Sequence, residues 1–196
     1  MLERYAWADD QGAGSIESWT VAVVEGMSAE DVVRIYGGDP DRVVGEYRFA
    51  QLYYLQGDER SGYRFHLQVL ARGDHVVALE NHGYTGNLPE IARRCSADGG
   101  RSFSVYWSPS SRPQLLQAID GQLTSHVDLC SGEEPYTGEP APPWIKNLNV
   151  DLAKLRSTSL VLLEQQTGLA FDHDWLGEVR PTYRIPDPYR MLADDD

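Results

Sequence analysis

Long apolar runs are missing from this 196-residue chain, where none exceeds four residues, as at 21–24 and 160–163. A membrane-spanning helix needs about 20, so an integral membrane protein is excluded at this level. Residues 1–10 carry Glu3, Asp9 and Asp10 where a secretory signal needs an apolar stretch, so export by that route is not expected. Cysteine is scarce. Cys95 and Cys130 form no CxxC and no Cys/His ligand spacing, which removes the common zinc patterns. Two buried free thiols in a reducing cytoplasm are the expectation, with a disulfide between them left open. The chain also lacks GxGxxG, a P-loop, HExxH and GxSxG, so nucleotide-dependent and zinc-peptidase chemistry has no motif here. No cofactor is expected, although catalytic groups also assemble from distant positions.

Basic residues are few as well: 17 Lys and Arg against 30 Asp and Glu leave a formal charge of −13. The resulting pI is near 4.7. Such a surface repels phosphate backbones and argues against nucleic acid. It attracts a basic protein and speeds association with it, and it equally keeps a protein soluble. What is present is enough for a core, since apolar residues make up 41% and charged residues 24%.

The pattern along the chain predicts a mixed domain. Residues 1–17 read as an irregular lead-in anchored by Tyr5 and Trp7, and 18–24 as a strand. Ser28 caps a helix over 28–36, with Asp31 three residues on and Met27 stapling Val32. Asp39-Pro40 opens a second helix running toward Leu55, and 57–62 form a loop. Tyr63, Phe65, Leu67 and Val69 alternate with polar residues as one strand of a hairpin that returns over 75–80. Asn87 starts a helix whose Leu88, Ile91, Ala92 and Cys95 share a face. Residues 102–107 form a strand, and 114–119 with 122–129 a second hairpin. A long Pro/Gly-rich loop covers 131–150, a helix capped by Asp151 covers 151–166, and a turn at 172–176 is capped by Asp172. Residues 178–196 read as a Pro-rich wrap without regular structure. The sum is an α+β fold in one domain over 1–196, a single largely antiparallel sheet of about five or six strands with helices packed on one face. The two hairpins belong to that sheet.

Three constellations could carry chemistry. If the strand stays extended past Glu80, then Glu80, His82 and Tyr84 point to one side. A carboxylate, an imidazole and a phenol there could bind a polar ligand or move a proton, with Tyr106 or Trp107 as an apolar wall. Equally, Glu80 and His82 brace a strand-to-helix turn. Asp172-His173-Asp174 has metal-ligand residue types, but neighbours on a helix diverge and Asp172 has its cap role, so no metal is assigned. Trp107 beside 108–113 could floor a pocket or simply pack in the core. Arg93, Arg94 and Arg101 form a small basic cluster, able to hold one anionic group.

Several segments together resemble an uncharacterised bacterial family known only as a domain of unknown function. They are WTVAVVEGMSAEDVVRIYGG at 19–38, the span 76–129 with VVALENHGYTG, LPEIARRCSADG, FSVYWS and AIDGQL, and TGLAFDHDWL at 167–176. The resemblance implies a single domain and an intracellular bacterial protein, and brings no activity or catalytic residue with it. The functional expectation is a non-catalytic acidic cytoplasmic binding protein, immunity- or antitoxin-like or accessory, that engages a basic protein partner. The alternative is a small-molecule enzyme or ligand-binding domain with its site at 80–87.

Overall fold

β-branched and aromatic residues at 19–24 extend the chain into a strand that becomes the centre of the sheet. The computed structural model describes residues 1–10, 17–57, 64–131, 142, 144–145 and 151–188, without the side chains of Arg112 and Leu152. Most of the loops expected at 57–62 and 131–150, Tyr63, and the tail from 189 lie outside these residues.

The strands are β1 (Trp19–Glu25), β2 (Val43–Tyr47), β3 (Phe65–Arg72), β4 (His75–Asn81), β5 (Arg101–Ser108), β6 (Ser111–Ile119), β7 (Gln122–Asp128) and β8 (Arg180–Ile185). The helices are α1 (Ala29–Ile35), α2 (Leu52–Leu55), α3 (Pro89–Cys95) and α4 (Leu155–Thr167). One sheet takes all eight strands in the order β2-β8-β3-β4-β1-β5-β6-β7. Every neighbouring pair is antiparallel, and both expected hairpins lie in this sheet.

The sheet therefore exceeds the five or six strands read from the sequence, and the two unexpected ones pair with each other. Where a second helix was expected over 39–55, Val43 and Val44 favour extended backbone and Gly45 sits at φ +150°. They form β2, and only α2 with the 3₁₀ turn Phe49–Gln51 remains helical. Its partner β8 lies in the stretch read as an irregular wrap. Arg180, Thr182 and Ile185 are buried, and Pro181 falls just past the point where pairing with β3 ends, at Gln68↔Thr182. Gln68 fastens this edge, donating from Nε2 to Tyr47 O (2.8 Å) and Thr182 Oγ1 (2.9 Å).

Helices cover both faces, not one. Odd positions of β1 (Trp19, Val21, Val23) pack with Leu79, Val105 and Trp107 under α4 and the N-terminal segment. Even positions (Ala22, Val24) pack with Ala78 and Leu67 under α1 and α3 through Val32, Val33, Tyr36, Ile91 and Cys95. Of the lead-in, 11–16 lie outside the described residues, and its start is not irregular. Leu2–Asp9 is a 3₁₀ helix whose Tyr5 is buried, donating to Glu164 Oε2 (2.7 Å) and accepting the Phe171 N–H (3.1 Å). Burial, then the Glu164 carboxylate, pushes the Tyr5 hydroxyl up to about 12. Asp9 accepts the N–H groups of Arg156 (3.0 Å) and Ser157 (3.3 Å) and so caps the first turn of α4.

Both cysteines are free thiols, but only Cys95 is buried; Cys130 is exposed, contrary to expectation, because it follows β7 at the surface. Ser28 caps α1 as its sequence predicts, accepting the Asp31 N–H at 3.1 Å. Ser28→Ala should destabilise the protein by about 1 kcal/mol in urea unfolding, and a loss under about 0.3 kcal/mol would contradict that role. Among the described residues no helix is long and apolar enough to cross a membrane.

Candidate functional site

The corner between β4 and α3 is built by Glu80. β4 ends at Asn81, and His82 turns into left-handed backbone at φ +58°. Extended geometry stops there, so the alternation that would have placed Glu80, His82 and Tyr84 on one side does not occur. Two bonds to β1 and the residue before it set the exit: the His82 N–H donates to Ser18 O (2.8 Å), and Thr20 Oγ1 donates to Gly83 O (2.7 Å). The chain then doubles back through the 3₁₀ turn Thr85–Asn87. There the Thr85 and Gly86 N–H groups donate to Glu80 Oε2 (3.0 Å) and Oε1 (2.7 Å).

Both Glu80 oxygens are thus engaged by the turn they brace, and the side chain is buried at 1% exposure. Burial raises its carboxyl to about 7, while the Gly86 N–H and the hydroxyl and N–H of Thr85 pull the other way. That value suits proton transfer, but the group has no open side. At the end of α1, the fully buried Tyr36 phenol is raised well above its ordinary value by burial first, then by Cys95 and Glu80.

The five candidate residues do not converge. Glu80, Tyr84 and Tyr106 share the α1/α3 side, where the Tyr84 ring lies 6.3 Å from Tyr106 and 6.4 Å from Phe65. His82 leaves them. Its Nδ1 bonds Asn81 Oδ1 (2.7 Å), its ring lies 5.1 Å from Tyr53, and burial lowers its pKa against the pull of Glu17. Trp107 is on the opposite side of the sheet, edge-on to Trp19 at 4.4 Å, and walls no part of the corner. Strand parity alone separates it from Tyr106.

Asn87 does not cap α3, which starts from Leu88 and Pro89 without a side-chain cap. It lies instead in a polar cluster that the sequence patterns did not flag. Asn87 Nδ2 donates to Gln114 Oε1 (2.9 Å), which His126 Nε2 approaches at 3.3 Å, and Ser104 Oγ donates to Asn87 Oδ1 (3.4 Å). The available signal was that Gln114 shares the inward parity of Leu116 and Ala118.

Asp172 caps the 3₁₀ turn His173–Leu176 by accepting the Asp174 N–H (3.0 Å), and His173 stacks on Trp7 at 4.2 Å. The triplet thus has structural partners. The basic cluster does too: Arg93 and Arg94 pair with Glu90, and Arg101 with Glu25.

No curated protein and no solved structure matches the chain. A family model matches residues 2–154, from the N-terminal 3₁₀ helix through the whole 80–88 corner; the resembling stretch at 167–176 lies beyond it. With most of its length so matched, the chain belongs to the family of unknown function DUF6461.

Proposed function

We propose that this protein is a non-catalytic acidic binding protein, of the immunity or antitoxin kind or an accessory subunit, acting on a basic protein partner in the cytoplasm. The observation that carries this reading is how the chain disposes of its positive charge. Arg4, Arg34, Arg72, Arg93, Arg94, Arg101 and Arg180 each pair with a carboxylate of the same chain. Glu3, Glu17, Asp39, Asp41, Glu46, Asp172 and Asp174 stay exposed, within a total of −13. A field of that sign favours an oppositely charged surface and disfavours nucleic acid.

The alternative, a small-molecule site at 80–87, has less support because both Glu80 oxygens are engaged by backbone amides. Capture from a lysate of the source organism, repeated with Glu80→Gln and Tyr84→Phe, separates the two. The proposal expects a strongly basic protein, retained equally by both variants. Loss of ligand or partner with Tyr84→Phe at unchanged melting temperature would favour the alternative instead.

A further inference from the structure

Three arginines at one end of the sheet escape the internal pairing that Arg4, Arg34, Arg72 and Arg180 find. Among the described residues the guanidinium groups of Arg42, Arg64 and Arg184 make no hydrogen bond and no ion pair. The strand register brings them together. Arg184 of β8 stands directly opposite His66 of β3, so the two side chains share a face with Cβ atoms about 5 Å apart. Arg64 lies two residues before His66 and has the same parity. Arg42 precedes Val43, the partner of Tyr183, and so lies beside Arg184. Both arginines line a hollow of ≈ 530 Å³ with Asp39, Val43, Val44 and Pro186.

His66 is the unusual member of this group. It is 6% exposed, yet neither ring nitrogen has a partner among the described residues; Nδ1 is sealed off and Nε2 is not. Burial, then Arg184, then Arg64 lower its pKa to about 4, so both guanidinium charges act on a ring that stays neutral. Like charges set beside one another across strands destabilise a sheet unless something neutralises them. The single acid of the hollow, Asp39, turns its Oδ1 to its own loop, accepting the Asp41 N–H at 3.0 Å.

We propose that this end of the sheet binds a phosphate group, held by Arg184 together with Arg42 and Arg64. Three guanidinium forks from separate segments suit the several oxygens of a phosphate better than the two of a carboxylate. The His66 Nε2–H adds a neutral donor in the tautomer that leaves Nδ1 bare. Val43, Val44 and Pro186 form the apolar side of the hollow, against which the body of a phosphorylated molecule would rest. Such a site is independent of any basic partner held by the acidic surface.

The test follows the His66 ring signal in proton NMR at about pH 7.5, where phosphate is mostly dianionic and His66 neutral. The signal is assigned by its loss in His66→Gln. Inorganic phosphate, phenyl phosphate and sodium acetate are titrated separately at constant ionic strength. The expected result is a saturable shift with both phosphates, weakened about tenfold or more by Arg184→Gln and by Arg64→Gln. Arg48→Gln, at an exposed arginine beyond the other end of β2, should leave it unchanged. Tighter binding of phenyl phosphate assigns the site to a phosphorylated small molecule, and equal binding assigns it to free phosphate. If His66→Gln fails to fold, the rise in melting temperature with phosphate, compared between the parent and Arg184→Gln, decides. No saturable shift, an equal response to acetate, or unchanged affinity in Arg184→Gln would each overturn the proposal.

Discussion

Gly86→Ala is expected to destabilise the protein by about 3 kcal/mol, the upper end of what overpacking costs. A methyl at this position would run into the Tyr36 hydroxyl and lie 3.3 Å from both Glu80 Oε1 and Thr20 Cγ2. None of these can yield easily. Tyr36 is 1% exposed at the end of α1, Glu80 is tied to two amides, and Thr20 is bonded to Gly83 O. For a protein of this size the loss corresponds to roughly 6–12 °C in melting temperature. Thermal and urea unfolding check it, and a change below about 1 kcal/mol would mean that the corner is loose.

The second large effect is the pH dependence that Glu80 contributes to stability. Its folded pKa, about 7, lies above the ordinary 4.5. The folded state therefore holds a proton through that window which the unfolded chain has released. Stability from this group is complete below about pH 4.5 and is lost as pH rises through 7, by about 3 kcal/mol in all. His66 runs the opposite way. Burial, then Arg184 and Arg64, lower it to about 4, so its contribution falls as pH drops from 6.5 toward 4. The comparison must therefore be a difference, parent minus Glu80→Gln, in which His66 cancels. That difference should favour the parent more at pH 5 than at pH 8, by about 2 kcal/mol or more in urea unfolding. Parallel pH profiles would show that Glu80 is not the buried clasp described here.

Much of the sheet was legible because its alternation is local. The strands expected near 63–69, 75–80, 102–107 and 114–129 pair as their patterns imply. What failed depended on distant partners. In β2 and β8, Val43 pairs with Tyr183 and Tyr47 with Arg180, residues from opposite ends of the chain. Neither segment has a convincing period alone; each is a strand because the other is there. The doubly covered sheet did leave a sign, since 21–24 and 76–79 are apolar without alternation, the mark of strands buried on both faces. At the candidate site the geometry expected from strand alternation does not form. One left-handed residue, His82, ends the strand parity on which the grouping of Glu80, His82 and Tyr84 depended.

Association kinetics with the captured partner test the acidic binder most directly. The on-rate is to be measured by stopped flow at about 50 mM and about 500 mM salt, across which surface charges become screened. Steering by the −13 charge predicts a fall of about tenfold or more, with the off-rate changing much less. An on-rate unchanged between the two salt concentrations would contradict it.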